Sequence, residues 1–233
     1  MTGMPQITLF GATGPTGKAV IREALRRGYT IVVFARSPDK LDTELRFSGK
    51  IKIIQGTLDS YSAILSCLRN STAVFILLTP SDGFPRWAGG SSSSLTVTYG
   101  YHNIIRAMSE LGVKRLIGIG TPSYAEPQDG FNLGLAVTVP LLKLVAPRVF
   151  EDVVEAGRLL KGLGDDTNID WTWLRVSLLY DGPAPRNEKY KLGFTGEGGR
   201  IALPSLSREE LSKALLDEME ERKWVRGMPF CWT

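Results

Sequence analysis

The sequence predicts an α/β protein built on a doubly wound parallel sheet, and three observations predict it. Short apolar runs alternate with segments whose apolar residues recur at helical spacing. The middle runs, such as residues 73–78, are apolar at almost every position, as strands covered by helices on both faces must be. A glycine-rich turn, Gly11-Ala12-Thr13-Gly14-Pro15-Thr16-Gly17, joins the first apolar run to the first helical segment. Alternation of this kind closes into a parallel sheet with right-handed crossovers.

Taken in order, residues 7–10 read as a buried strand that stops at Gly11. A helix follows over about 16–27, with Ala19, Val20, Ala24 and Leu25 inward and Gly28 as its stop. Residues 31–34 and 51–54 are the second and third strands. Ser60 can cap a helix running through Leu68. Residues 73–78 make the fourth strand. Val97, Tyr101, Ile104, Ile105, Met108 and Leu111 form a helical stripe that Gly112 ends. Residues 115–120 are a fifth strand, 151–161 a helix and 171–174 a sixth strand. Residues 85–94 form a Gly- and Ser-rich loop. Beyond 180, Pro183, Pro185, Gly193, Gly196, Gly198 and Gly199 predict an irregular segment to about 206, read as a small substrate cap. A last helix begins at Ser207, with Glu210 completing a capping box and Leu211, Ala214, Leu215 and Met219 facing inward. No repeat or linker divides the chain, and 233 residues favour a single domain.

Composition narrows the function classes. Hydrophobic residues at 43% and charged residues at 22% are ordinary for a folded globular chain and exclude a disordered one. The net charge of +4 suits either a mildly basic surface or a basic pocket for a phosphate-rich ligand. Before residue 114 the only adjacent bases are Arg26 and Arg27, so nucleic acid is not an expected partner. Two cysteines are too few for a disulfide framework, and a single His with two distant Cys builds no usual metal site. No signal peptide is visible and no apolar run approaches a membrane span, so the expectation is a cytoplasmic protein without a membrane partner.

The glycine-rich turn carries the chemistry. Glycines between a strand and a helix let the chain turn sharply and let its backbone approach a pyrophosphate. The following helix points free N–H groups and the positive end of its dipole at that ligand. The spacing here, Gly11-x-x-Gly14-x-x-Gly17, occupies the strand–turn–helix context the motif requires, which points to a dinucleotide on a Rossmann-type fold. The bland alternative is a tight turn in which Gly17 only allows close packing. The second strand speaks to the kind of dinucleotide. An NAD site places an acid there for the ribose 2′-hydroxyl. This chain instead runs Phe34-Ala35-Arg36-Ser37, with Lys40 close behind. A guanidinium suits a 2′-phosphate, so NADP(H) is the expected cofactor.

These residues, with Gly56-Thr57-Leu58-Asp59, Gly112-Val113-Lys114-Arg115-Leu116-Ile117 and Trp171-Thr172-Trp173-Leu174-Arg175, resemble the NmrA-like branch of the atypical short-chain dehydrogenases/reductases. The resemblance covers most of residues 5–182. That branch includes NADPH-dependent flavin and biliverdin reductases, isoflavone-reductase-like enzymes, enzymes of fungal natural-product pathways and regulators that bind the cofactor without turnover. The resemblance implies roles by position. Thr13, Pro15 and Thr16 would lie along the pyrophosphate, and Arg36, Ser37 and Lys40 would hold the 2′-phosphate. Leu58 and Asp59 would flank the adenine. Leu78, Thr79 and Pro80 would line the nicotinamide ribose, and Val176, Ser177 and Leu178 would face the nicotinamide ring. Thr121 falls where related enzymes often carry a hydroxyl residue.

One departure bears on the reaction. Short-chain reductases typically carry Tyr-x-x-x-Lys, and no such pair exists here; the helix expected to hold it reads Phe150-Glu151-Asp152-Val153-Val154. Asp152 and Tyr124 are the remaining candidates for acid–base work, Tyr124 because it follows the fifth strand, where such folds bind ligands. Glu151 and Glu155 share a helix face and read better as dipole partners. Trp87, Tyr124, Phe131, Tyr180, Tyr190 and Phe194 could form an apolar lid or could simply pack on the core. The expected activity is an NADPH-dependent oxidoreductase acting on a small aromatic, polyketide-like or conjugated carbonyl compound, and a homodimer is compatible with it. A non-redox isomerase, cyclase or dehydratase using Asp152 and Tyr124, or a cofactor-sensing regulator, are the alternatives.

Overall fold

The computed structural model describes residues 5–79, 95–164, 167–184, 188–197, 199 and 201–233. Pro80, Trp87, the 85–94 loop, Pro185 and Gly198 lie outside the described residues. The first part of the chain supplies β1 (Gln6–Phe10), α1 (Pro15–Arg26), β2 (Thr30–Ala35), the single turn α2 (Thr43–Arg46), β3 (Ile51–Gln55), α3 (Tyr61–Leu68) and β4 (Ala73–Ile76). It continues with α4 (Thr96–Leu111), β5 (Arg115–Gly120), α5 (Leu133–Val145), α6 (Pro147–Lys161) and β6 (Asp170–Arg175). The C-terminal part adds β7 (Leu178–Tyr180), β8 (Lys191–Gly193), β9 (Ser205–Ser207), α7 (Arg208–Glu221) and β10 (Phe230–Trp232).

The main sheet has the order β3-β2-β1-β4-β5-β6-β10-β8, parallel except for β8. Leu9 of β1 sits opposite Val33 of β2 on one side and Phe75 of β4 on the other. The strand order reverses between β1 and β4, so a crevice opens at their carboxyl ends, where open α/β sheets bind ligands.

The continuous apolar runs follow from two buried faces. Successive side chains of a strand point to opposite sides. Leu9, Val33, Phe75 and Ile117 enter the core beneath α1 and α7, while Phe10, Val32, Val74 and Leu116 enter the core beneath α3, α4 and α6. The helix stops behave as expected. Gly28 and Gly112 take φ of 89° and 69°, a region that costs a side chain energy and glycine little.

Four expectations need correction. The segment from 180 to 206 is not wholly irregular: β8 pairs antiparallel with β10, and β7 pairs in parallel with β9. A helix, α5, occupies residues between β5 and β6 that carried no predicted element, and α6 begins at Pro147 rather than at 151. The fourth strand ends at Ile76 rather than at 78. The capping box is only half made: Ser207 Oγ accepts the Glu210 amide at 3.1 Å, but the Glu210 carboxylate accepts the Tyr190 amide at 3.0 Å and pairs with Lys213. Glu210 therefore ties the 188–193 segment to α7 instead of returning to its own helix end.

A buried ion pair locks α7 to the sheet. Arg115 and Glu218 side chains are 4% and 1% exposed, and Arg115 Nη2 donates to Glu218 Oε1 at 2.9 Å. The same oxygen accepts Thr172 Oγ1 at 3.0 Å and the Trp224 amide at 3.0 Å.

Candidate dinucleotide-binding cleft

The crevice between β1 and β4 holds a cavity of about 650 Å³, within the range of small-molecule and cofactor clefts. Its floor is the glycine-rich loop, whose three glycines do different work. Gly11 has φ of +83°, and a Cβ there would lie 2.3 Å from the Leu77 carbonyl oxygen, so the loop needs glycine to approach the chain leaving β4. A Cβ on Gly17 would lie 2.5 Å from Ala12 Cα, which makes Gly17 the packing glycine between loop and helix. Gly14 has an ordinary extended backbone, and a Cβ there would meet nothing nearer than the Gly11 oxygen at 3.6 Å. Glycine is therefore not demanded at 14 by the protein's own packing. α1 starts there with Pro15 in its first turn and no side chain capping it. The first-turn amides and the positive helix end are left for an anion.

The far wall comes from β2 and β3. Arg36 and Lys40 are exposed at the rim, and among the described residues no acid pairs with either. Phe10 and Phe34 also line the cavity, their rings tilted at 42° with centroids 5.0 Å apart. Gly56 passes over Phe34, where a Cβ would meet the ring at 2.8 Å. The turn that follows is pinned by Asn103, whose Nδ2 donates to the Leu58 oxygen at 2.9 Å. One turn earlier on α4, Gly100 fits between the Leu58 and Leu78 side chains, and Tyr99 beside it lines the cavity while remaining 46% exposed.

The family model described as NAD(P)H-binding matches residues 11–222. The chain belongs to the NAD(P)H-binding family. The NmrA-like resemblance read from the loop and the later strands agrees with this. Similar proteins include oxidoreductase stcQ of Emericella nidulans, 26% identical over 187 residues that cover 77% of this chain and 65% of stcQ. Oxidoreductase claK of Passalora fulva is 23% identical over 231 residues, covering 92% of this chain and 79% of claK. The chain spans about 65% and 60% of the length of the curated relatives stcQ and aflX. A solved short-chain dehydrogenase/reductase of Veillonella parvula in complex with NADP shares the fold, with a TM-score of 0.75 at 18% identity over 98% of this chain and 94% of that one. ChuY, an anaerobillin reductase from Escherichia coli O157:H7, does so with a TM-score of 0.69 at 16% identity over 97% and 96%.

The family's nicotinamide dinucleotide fits this cleft. The open Gly14 backbone and the uncapped α1 end suit its pyrophosphate. Of the positions expected to bind it, Gly11, Thr13, Gly14, Pro15, Thr16 and Gly17 line the one cavity together with Arg36, Ser37, Lys40, Leu58, Asp59, Leu78 and Thr79. Pro80 lies outside the described residues. Val176, Ser177 and Leu178 do not line this cavity. The Val176 amide bonds the Gly120 oxygen at 2.9 Å and its side chain joins the core with Leu206 and Leu211, while Leu178 pairs with Ser205. Sequence reasoning missed Phe10, Phe34, Leu77, Thr96, Val97, Tyr99 and Ile119 as lining residues. Most had been read only as strand or helix core, and no local signal marks which core residue also floors a cleft.

Asp152 and Tyr124, the candidates for acid–base chemistry, and the hydroxyl residue Thr121 do not line the cavity. Asp152 is 3% exposed, and its carboxylate accepts the Val97 amide at 2.9 Å, the Thr98 amide at 2.8 Å and Thr98 Oγ1 at 2.8 Å. The residue at the α4 N-cap is Leu95, which has no acceptor, so Asp152 satisfies those amides from the neighbouring helix. Thr121 Oγ1 accepts the Ser123 amide at 3.2 Å. The Tyr124 ring stands edge-on to Trp173 and against Gly157 of α6. Other aromatic residues considered for a lid are spoken for: Tyr190 donates to Asp217 at 2.5 Å, and Phe194 stands edge-on to Trp224.

Beside Tyr124 lies a hub the sequence did not announce. Arg175, fully buried, forks onto Asp129 at 2.5 and 2.8 Å and also donates to the Met228 and Tyr124 oxygens. Burial acts to raise the Asp129 pKa, but the Arg175 fork and the Glu126 and Thr195 amides outweigh it and hold the carboxyl below its ordinary range. This hub fixes the loop after β5 to the 194–197 turn.

Proposed function

We propose that the chain is an NADPH-preferring oxidoreductase that reduces a small aromatic or conjugated carbonyl compound. One observation carries the cofactor preference: Arg36 and Lys40 stand at the rim of the glycine-loop cavity with no acid paired to either among the described residues. A bound 2′-phosphate would accept hydrogen bonds from a guanidinium held only by its backbone, where Gln55 reaches the Arg36 oxygen at 3.4 Å. Replacing Arg36 by Ala should remove a charge-assisted bond of about 1.5–3 kcal/mol, or one to two decades of NADPH affinity, and leave NADH affinity nearly unchanged. Titration of both cofactors against both proteins tests this. Equal NADPH and NADH affinities in the unmodified protein would sink the preference.

The bound nicotinamide supplies a hydride, and the protein's part is to orient, to exclude water and to leave a route for one proton. The engagement of Asp152 at the α4 amides supports the redox reading over a carboxylate-driven isomerase. With no Tyr–Lys pair, we assign the proton to solvent, with Tyr124 and Thr121 at most ordering the loop that admits it. The fungal relatives are named oxidoreductases and ChuY an anaerobillin reductase, which supports redox work, and the apolar cavity wall of Leu77, Leu78, Val97 and Ile119 suits an apolar substrate. The 194–197 turn, held by Asp129 and Gly130, is the part of the 180–206 segment we assign to substrate capping.

We assign Tyr99 to the adenine end of this reading: it lines the cavity, and Asn103, one turn on, holds the Leu58 oxygen. A base on an aromatic platform is worth about 1–3 kcal/mol. Tyr99→Ala should therefore weaken NADPH, NADH and adenosine 2′,5′-bisphosphate alike, by roughly fivefold or more. Unchanged binding of the bisphosphate, which lacks nicotinamide, would place Tyr99 elsewhere.

A further inference from the structure

α5 is a helix of 13 residues whose solvent face is apolar. Leu133, Ala136, Val137, Pro140, Leu141 and Leu144 recur at i, i+3, i+4, i+7, i+8 and i+11, the spacing of one helix face, and all are exposed. Leu135, by contrast, is buried against the body of the protein. Among the described residues, seven of the eleven exposed large hydrophobic side chains belong to this region: five on α5, with Phe131 and Ile201 at its N-terminal end. Ile201 is brought there by Asn132, which donates to the Ala202 oxygen at 3.0 Å. Scattered apolar residues need no explanation, but a contiguous strip marks a surface that meets another apolar phase.

Charge and shape say which. α5 itself carries Lys143 and no acid. Lys143 sits at the flank of the stripe with its Nζ 5.6 Å from the Phe150 ring, where a long side chain can cover apolar surface and still hold its charge at a polar boundary. The strip is a single helix about 20 Å long. No single described helix is long and apolar enough to cross a membrane. α5 and α6 meet at a bend of 113°, which leaves α5 along the surface while α6 buries Val153, Ala156 and Leu160 in the core.

We propose that the α5 face docks on an anionic lipid surface, lying in the headgroup region with its apolar stripe in the acyl boundary and Lys143 toward the phosphates. Binding to such a surface scales with the apolar area inserted and with the attraction of Lys143 to anionic lipid. The surface is separate from the dinucleotide cleft, and no α5 residue lines that cavity.

The test is sedimentation of the full chain with vesicles of phosphatidylcholine alone or mixed with phosphatidylserine, alongside its sedimentation velocity without lipid. The chain should bind the mixed vesicles, weakly bind the neutral ones, and release as salt is raised. Val137 and Leu144 are 59% and 76% exposed, so Val137→Asp and Leu144→Asp should keep the melting temperature and NADPH affinity. Each should weaken vesicle binding about tenfold or more. Lys143→Gln should cost about fivefold on the charged vesicles and nothing on the neutral ones. Absence of vesicle binding overturns the proposal. So does vesicle binding that both aspartate variants retain. A dimer without lipid that Val137→Asp dissociates, with no vesicle binding, overturns it in favour of a second copy of the chain.

Discussion

Gly14→Val leaves the fold intact and abolishes dinucleotide binding. The two halves of this expectation rest on separate observations. A Cβ at 14 meets only the Gly11 oxygen, at 3.6 Å, and the backbone there has φ of −76°, which any residue adopts. The folded chain has no reason to reject valine. The same Cβ projects where the open backbone would meet a pyrophosphate, and a branched side chain would hold that ligand off the amides of α1. Loss of two or more decades of affinity for NADPH and NADH alike is the expected result by calorimetry, with an unchanged thermal transition. Gly11→Ala is the counterpart. Its Cβ would lie 2.3 Å from the Leu77 oxygen at a φ of +83°, so that variant should lose stability before it loses anything else. Full cofactor binding by a folded Gly14→Val protein would refute the assignment of the loop.

Glu218→Ala should be among the most destabilising single substitutions in the chain. It would strip a guanidinium that is 4% exposed of its counter-charge, and leave the Thr172 hydroxyl and the Trp224 amide without a shared acceptor. Burial already pushes the Arg115 guanidinium below its ordinary pKa, and Glu218 works against that push. Breaking a buried pair from one side typically costs about 3–5 kcal/mol. In a domain of this size that is roughly 6–20 °C of melting temperature. Glu218→Gln, which keeps an acceptor but no charge, should fall between the two. A cost below about 1 kcal/mol for Glu218→Ala would show that Arg115 finds other partners or water.

The parts of the fold that were legible are those whose signal is local. A strand buried on both faces must be apolar throughout, so residues 7–10, 31–34 and 115–120 declared themselves. Gly28 and Gly112 marked helix ends because a left-handed residue there favours glycine. The loop was legible because Gly11 and Gly14 fall between a strand and a helix and Gly17 follows in the helix's first turn. α5 was not: Gly134 and Pro140 interrupt its helical pattern, and its apolar stripe faces solvent, so it does not behave like a core helix.

The candidate site divides in the same way. Sequence alone determined the six parallel strands β1 to β6, the glycine-rich loop and the basic end of β2, because each is a short run in which residue type dictates backbone geometry or charge. Only the tertiary structure decided what distant groups do to one another. Asp152 looked like a free carboxylate on a helix; it is the cap of α4, because Leu95 offers those amides no acceptor. Glu210 looked like half of a capping box; it is held by the Tyr190 amide from a strand-bearing segment that composition had marked as irregular. Val176, expected at the nicotinamide ring, packs in the core with Leu206 and Leu211, and its amide is held by the Gly120 oxygen of β5. In each case the side chain's partner lies at least 20 residues away in sequence or on another element. A hydrogen-bonding group takes the nearest unsatisfied donor in space, which no local pattern of residues records.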